Sequence, residues 1–157
     1  MSDEQSNSNG KDTAFKNDVQ VKGYKEYNIS NLTTDIWDYY QPDKIFTSIN
    51  NKMEFIVMES SSTGDRKVHI GELLQFLTFV SSKDIYIEKA TYILFLCGKG
   101  KSSPTVNGEY NRLKYYFDNY PIKPEVLKKI KGIYITDTKD YSSLDISKIN
   151  NMKNVLK

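Results

Sequence analysis

The residues best suited to do chemistry lie in a glycine- and lysine-rich segment that follows an apolar run. The segment begins with the only cysteine of the chain and reads Cys97, Gly98, Lys99, Gly100, Lys101, Ser102 and Ser103. A thiolate at a strand end, surrounded by backbone amides and beside a helix N-terminus, has a lowered pKa and acts as a nucleophile. We therefore expect Cys97 as a candidate catalytic nucleophile and residues 98–103 as a candidate anion-binding loop.

Two other interpretations of this segment remain open. Cys97 can be a small buried hydrophobe that ends a core strand, with glycines that merely form a turn. Alternatively, glycine, lysine and serine after a strand can surround a nucleotide phosphate. The spacing disagrees with this second interpretation, because a phosphate loop that ends in Gly100-Lys101-Ser102 requires glycine where Phe95 stands.

The remaining titratable residues give weaker indications. His69 is the only histidine, so no second imidazole is available for a zinc site or a triad, and we expect it at the surface or as a cap. Asp137 and Asp140, with Glu59, could gather at a sheet end around magnesium, but acids in a turn are usually turn formers. We predict no metal site and no cofactor.

An alternating α/β scaffold is expected to position these residues. Apolar runs at 53–58, 92–97 and 133–136 predict buried strands. Apolar residues at helical spacing predict helices over about 70–81, with a stripe that includes Ile70 and Leu74, and over about 110–120. A last helix is expected after Ser142 or Ser143. This alternation predicts a three-layer fold, with a mostly parallel central sheet and helices on both faces.

The flanking segments have less regular patterns. Alternation over 19–29 predicts a short strand, followed by a threonine-capped helix that Pro42 ends. A further helical turn is expected over 45–49, and a short helix from Pro124 to Lys131. Residues 84–91 fit either a helix end or an edge strand.

Composition indicates one domain behind a tail. Residues 1–17 are mostly polar, so we expect a disordered tail there and a single α/β domain over residues 18–157. The longest apolar run, 92–97, is too short to span a membrane, and the start of the chain does not resemble a secretory signal. We expect an intracellular protein, cytoplasmic or nuclear, with no membrane partner.

Charge is unevenly distributed along the chain. The formal net charge of +2 is too small to indicate a nucleic acid partner for the whole chain, yet residues 98–131 carry eight basic and three acidic side chains among several tyrosines. Basic charge beside aromatic rings suits phosphate contact and base stacking. Nucleic acid binding is therefore an alternative function, through Lys114, Lys123, Lys128, Lys129 and Lys131.

Several short pieces of the sequence occur in a familiar order. They are Ile29-Ser30, the strand Phe55-Ile56-Val57, His69-Ile70, Cys97-x-x-Gly100-x-Ser102-Ser103, and the strand Ile133-Tyr134-Ile135. Over residues 27 to about 140 the chain resembles rhodanese-like domains, a superfamily of sulfurtransferases and cysteine-dependent phosphatases. The resemblance implies that Cys97 takes up a sulfane sulfur or a phosphoryl group, held by the amides of residues 98–103.

The chain departs from the pattern of that family at important positions. The family loop supplies an arginine near its end to bind the anion through two hydrogen bonds, and Ser102 and Ser103 stand there instead. The resemblance therefore implies a degenerate member. We expect a non-catalytic or weakly catalytic protein-interaction or regulatory module, in which tyrosines anchor a protein partner. A sulfurtransferase or phosphatase that uses Cys97 is the alternative enzyme.

Overall fold

A single sheet runs through the parts of the chain that the computed structural model describes, which are residues 14–28, 39–98 and 103–157. Its six strands follow one another in space in their sequence order. The strands are β1 (Tyr24–Glu26), β2 (Lys44–Ser48), β3 (Glu54–Ser61), β4 (Lys89–Leu96), β5 (Ile130–Thr136) and β6 (Lys153–Asn154). The helices are α1 (Arg66–Val80), α2 (Val106–Asn119), α3 (Pro124–Leu127) and α4 (Ile146–Asn150), and residues 14–18 are also helical.

The three central strands are parallel. β3 pairs with β4 over their full length, from Glu54 opposite Lys89 to Ser61 opposite Leu96, and β4 pairs with β5 in the same direction. The outer pairs are antiparallel, so the sheet is mixed. This confirms the predicted α/β fold with a parallel centre, which the two-sided burial of the central strands requires.

Strand β2 corrects the prediction of a helical turn over residues 45–49. Ile45 and Phe46 are both buried, and they pack into different core clusters on opposite faces of the sheet. A polar turn then leads into β3, with Ser48 Oγ accepting hydrogen bonds from the N–H groups of Asn50 and Asn51. A short apolar run is equally compatible with helix and strand, and here the hairpin decides between them.

The two long helices lie on the same face of the sheet. Leu73 and Leu77 of α1 and Leu113 of α2 belong to one apolar cluster, together with Val57 of β3 and Leu94 of β4. This follows from the topology, because right-handed crossovers that add each strand on the same side place their helices on one face.

The opposite face is packed by shorter segments. Leu144 and Ile149, from the C-terminal part of the chain, cover Ile56, Met58 and Ile93 there. The described helical segments on this side are short, residues 14–18 and α4, so the three-layer arrangement with helices on both faces stays a prediction. Asp145 caps α4, where Ser142 or Ser143 was expected: its Oδ1 accepts a hydrogen bond from the N–H of Lys148 at 2.8 Å.

Part of the predicted tail is folded. Phe15 is 0% exposed, and its ring lies 5.0 Å from that of Phe95 and 5.1 Å from that of Tyr141, centroid to centroid. Residues 14–17 thus belong to the packed domain, because burial of one large ring offsets the entropy of ordering a short segment. Residues 1–13 and most of the threonine-capped helix predicted before Pro42 lie outside the described residues.

The predicted apolar stripes of the two long helices are buried in part: Leu73, Leu77 and Val80 of α1 and Leu113 and Phe117 of α2 are buried, and other members are not. The inward side of α1 carries His69, Leu73, Phe76, Leu77, Phe79 and Val80. Leu74, which the predicted stripe included, is 44% exposed. Tyr116 of α2 is 42% exposed, and Tyr120, which directly follows α2, is 50% exposed. Both helices are therefore apolar on more than the side that faces the sheet. Within the described ranges, no helix has the length and apolar character needed to cross a membrane.

Candidate functional site

The carboxyl end of strand β3 lies where both long helices begin. Asp65 caps α1, with its Oδ1 accepting a hydrogen bond from the N–H of Lys67 at 2.9 Å. Thr105 caps α2 in the same way, with its Oγ1 accepting from the N–H of Gly108 at 3.1 Å. Helix N-termini converge at the carboxyl ends of parallel strands, so the first-turn residues of α1 and α2 meet Ser61, the last residue of β3.

A chain of hydrogen bonds links these three elements. His69 lies in the first turn of α1 and its Nε2 is 2.8 Å from Ser61 Oγ. On the other side of the imidazole, Nδ1 is 2.7 Å from Oε2 of Glu109, in the first turn of α2. Arg112 Nη1 donates to the second oxygen of that carboxylate, Oε1, at 2.8 Å. The order is therefore hydroxyl, imidazole, carboxylate and guanidinium.

This chain of groups is buried. Ser61 is 7% exposed, His69 0% and Glu109 1%. A buried carboxylate is tolerated when both oxygens are paired, which His69 and Arg112 accomplish, and the N-terminus of α2 adds a favourable field. A carboxylate accepts hydrogen bonds only, so in the neutral imidazole Nδ1 carries the proton and Nε2 is left to accept the hydroxyl proton of Ser61.

The environment of His69 corrects the expectation of a surface or capping role. A single imidazole between a carboxylate and a serine hydroxyl has the same connectivity as a serine–histidine–acid triad, so a second histidine is not required. Sequence reasoning missed the partners because Ser61 and Glu109 are 48 positions apart. One pattern pointed to them: Ser61 follows the predicted strand 53–58, and Glu109 directly precedes the helix predicted over about 110–120.

A second polar cluster lies between α1 and strand β3, two residues before Ser61 in the strand. Glu59 is 6% exposed, and burial, with the charges of Asp43 and Glu72 adding to it, raises its pKa to about 9. Burial also raises the pKa of Glu72 to about 7, and the charge of Asp43 adds to it. Glu59 is therefore protonated at neutral pH. The amide N–H of Asp43 donates to Glu59 Oε2 at 3.3 Å.

Two tyrosines complete this acidic cluster. Tyr40 and Tyr92 are 3% and 0% exposed, and burial together with the charges of Glu59 and Glu72 raises the pKa of both phenols. Among the described residues, neither phenol oxygen has a hydrogen-bond partner, and neither does Oε2 of Glu72. The described residues contain no group of three histidine, cysteine or acidic side chains arranged to hold a metal ion.

Cys97 is buried, at 6% exposure, and its backbone N–H donates to the carbonyl oxygen of Ser61 at 2.9 Å. Its side chain is on the same face as that of Phe95, since side chains two positions apart in extended chain share a face. Tyr141 lies against that face, and burial and then the charge of Cys97 raise its pKa. Ser61, at the end of β3, and Cys97, directly after β4, therefore have different surroundings.

The loop after Cys97 is described only in part. A Cβ on Gly98 would lie 3.1 Å from the carbonyl oxygen of Ser62 and 3.0 Å from Ser103 Oγ, so glycine permits a close approach to the end of β3. Lys99, Gly100, Lys101 and Ser102 lie outside the described residues. Their predicted role in anion binding stays a prediction.

The predicted nucleic-acid lysines are distributed over different elements. Lys114 pairs with Asp118 at 3.3 Å on α2, and Lys131 pairs with Glu54 at 3.0 Å. Lys129 lies over the ring of Tyr86, 5.9 Å from its centroid. Lys123 and Lys128 are exposed.

The acidic residues considered for a magnesium site, Asp137 and Asp140 with Glu59, form no metal-holding group among the described residues. Asp140 is exposed and accepts hydrogen bonds from Ser143 Oγ at 2.6 and 2.8 Å, which lowers its pKa. Glu59 is with Asp43 and Glu72 instead.

Comparison of the chain with protein-family models, with curated proteins and with solved structures found no match. The class that the structure defines is a mixed α/β domain with a parallel centre and a buried serine–histidine–glutamate arrangement at the carboxyl ends of its strands. The resemblance to rhodanese-like domains stays a prediction.

Proposed function

We propose that this chain is a protein-interaction module that binds its partner on the outer side of α1 and α2. The single observation that carries the proposal is Leu74, which is apolar, central on α1 and 44% exposed. Contiguous exposed apolar surface that is larger than scattered single residues marks interaction sites. We call the group Tyr39, Ile70, Leu74, Tyr116 and Tyr120 the Leu74 surface.

The first part of the Leu74 surface is a narrow groove between the two long helices. Tyr116 and Tyr120 line one side of it, and Ile70 and Leu74 line the other. Tyrosine is enriched among the residues that carry binding energy, because a large ring buries much area for the loss of few rotamers. Three aromatic rings line this groove, since Phe117 forms its inner wall.

The second part is a wider groove of about 540 Å³ on the other side of Leu74. Tyr39 lines it, along with Gln75 and Thr78 of α1. From Leu74 to Ser82 the sequence has no charged side chain. The lining of this groove also includes Lys83 and Asp84. A partner for this surface would therefore present an apolar face beside polar groups, such as an amphipathic helix laid along a groove.

The other functions expected from the sequence have less support. A thiolate nucleophile at Cys97 stays a prediction, because the loop expected to hold its anion lies mostly outside the described residues and supplies no arginine. Nucleic acid binding would need positive charge gathered on one surface, but the five lysines lie on different elements, and Lys114 and Lys131 are paired with acidic side chains.

The proposal is tested by quantitative cross-linking and affinity capture from native extract with the full chain. Leu74→Asp places a charge in the centre of the surface, and we expect at least a tenfold loss of the captured partner, since a central anchor is worth about 2 kcal/mol or more. Ile49→Asp is the matched control, because Ile49 is equally apolar, is 61% exposed and lies in the turn between β2 and β3.

The outcome is decided by comparing the two variants. A partner captured by the wild-type chain and by Ile49→Asp, and lost by Leu74→Asp, supports the proposal. Equal capture by all three proteins contradicts it, and so does the absence of any specific partner. Thermal unfolding of both variants checks that the fold is kept.

A further inference from the structure

We infer that Ser61 is a nucleophile toward small carboxylic esters, with His69 as its general base and Glu109 as the acid that orients the imidazole. This goes beyond the interaction role, and it does not depend on it. The inference rests on the geometry of one continuous chain of hydrogen bonds in which each group has the neighbour that its chemistry needs.

The proton path is the first support. Ser61 Oγ is 2.8 Å from His69 Nε2, within the distance at which a base removes a hydroxyl proton. Glu109 accepts from Nδ1 at 2.7 Å, which fixes the tautomer that leaves Nε2 unprotonated. The other neutral tautomer carries its proton on Nε2. It would leave Nδ1 as an acceptor facing the carboxylate of Glu109, and these two acceptors would repel each other.

The second support is the way in which Glu109 is held. Arg112 donates to Glu109 Oε1 at 2.8 Å and to the carbonyl oxygen of Gly64 at 3.3 Å. The guanidinium thus ties the carboxylate to the segment that leads from Ser61 into α1. An acid held from both oxygens keeps one orientation, which is what a positioning residue behind a catalytic imidazole requires.

The third support is the place of the hydroxyl in the fold. Ser61 is the last residue of a central parallel strand, and the N–H of Thr63 points at its Oγ from 3.3 Å. Ligands of open parallel sheets bind beyond the carboxyl ends of the strands, where helix N-termini supply donors for developing negative charge. The next residue along the chain, Ser62, is exposed, so the strand end reaches the surface there.

The proposed reaction is ester hydrolysis in two balanced steps. Ser61 Oγ forms a bond to the acyl carbon while its proton passes to His69 Nε2, and the ester C–O bond breaks as the alkoxide takes that proton and leaves as an alcohol. Water then attacks the acyl-serine, giving its proton to Nε2, and Ser61 Oγ leaves with the proton to regenerate the hydroxyl. Because Ser61 is only 7% exposed, we expect short acyl groups to reach its hydroxyl more readily than long ones.

The test uses the full chain with two small probes, an alkyl fluorophosphonate that labels activated serines and p-nitrophenyl acetate. We expect one label per chain, mapped by mass spectrometry to Ser61, and acetate release above the rate in buffer. Ser61→Ala should abolish both. Ser62→Ala is the matched control, since Ser62 is the exposed neighbour of Ser61 and should react as in the wild-type chain.

Glu109→Gln tests the role of the orienting acid. Because a neutral amide can donate to Nδ1 and favour the wrong tautomer, labelling should slow by at least about tenfold while Ser61 stays in place. Glu109→Asp should restore part of the rate.

Three results would overturn the inference: no label on a folded wild-type chain, a label on another serine, or equal labelling of the wild-type and Glu109→Gln chains. Leu74→Asp should label like the wild-type chain, so a failure of the interaction proposal and a failure of this one are distinguishable.

Discussion

At the carboxyl ends of β3 and β4, the two faces of the sheet bury different chemistry. On the helix-covered face, Ser61, His69 and Glu109 are held by hydrogen bonds. On the opposite face, Phe95 and Phe15 are held by ring contacts with a centroid separation of 5.0 Å. The backbones of the two strands are joined at this point, since Cys97 N–H donates to the Ser61 carbonyl.

The difference shows that one face is stabilised by hydrogen-bond partners and the other by apolar packing. A buried polar group that loses its partner retains the full cost of its desolvation, so the polar face depends on every member of its network. An apolar face loses only the contacts of the atoms removed and the energy of the cavity left behind. The same strand ends therefore carry a cooperative network on one side and additive packing on the other.

The largest effect is expected from removing the imidazole. His69→Ala leaves Glu109 buried without one of its partners, and breaking a buried charged pair in this way costs about 3–5 kcal/mol. Cys97→Ala removes one sulfur atom from the opposite face and should cost about 1 kcal/mol. Urea unfolding followed by circular dichroism measures both. Equal costs for the two variants would show that the polar network is no more cooperative than the packing.

The packing on the opposite face is tested at Phe15. Phe15→Ala empties a ring-sized space against Phe95 and Tyr141, and the free energy of unfolding should fall by about 3 kcal/mol. The exposed Ile49→Ala, with 61% exposure, should change it by less than about 0.5 kcal/mol. If the Phe15→Ala variant is as stable as the wild-type chain, residues 14–17 do not contribute to the packed domain.

A smaller, pH-dependent effect is expected at Glu59. Its pKa is about 9 in the folded chain against an ordinary value of 4.5, so the folded state binds more protons and stability falls as pH rises between these values. One proton gives a slope of at most about 1.4 kcal/mol per pH unit. Glu72, with a pKa of about 7, adds to the slope below neutral pH.

Glu59→Gln isolates this contribution. The variant keeps the size of the side chain and cannot ionise, so its stability should be nearly flat from pH 7 to pH 9, where that of the wild-type chain declines. Unfolding in urea at several pH values measures the two slopes. Parallel declines would show that Glu59 is ionised in the folded chain and that its surroundings are more polar than its burial implies.

The sequence predicted the centre of the fold well and its edges poorly. Strands β3, β4 and β5 were predicted because each is a short apolar run buried on both faces, and α1 and α2 because their repeats are long. The helical turn expected over 45–49 is strand β2, because a run this short does not distinguish the period of a helix from that of a strand. Strand β1 lies within the short strand predicted over 19–29, whereas the two-residue strand β6 depends on tertiary pairing with β5 and has no sequence pattern of its own.

The candidate site was predicted in position but not in identity. Strand order placed function at the carboxyl ends of the strands, where Cys97 and Ser61 both lie. Residue type alone favoured the cysteine. His69 was expected at a surface or cap because one histidine on a helix has no visible partner, and its partners came from a strand eight positions before it and a helix forty positions after it.

The shortness of the outermost strands has a consequence for how copies of this protein meet. The sheet ends in a strand of three residues on one side and of two on the other, beside central strands of eight. Edge strands this short offer too few free N–H and C=O groups to pair with a strand of another molecule. We therefore expect neither edge of the sheet to support the growth of fibrils by strand addition.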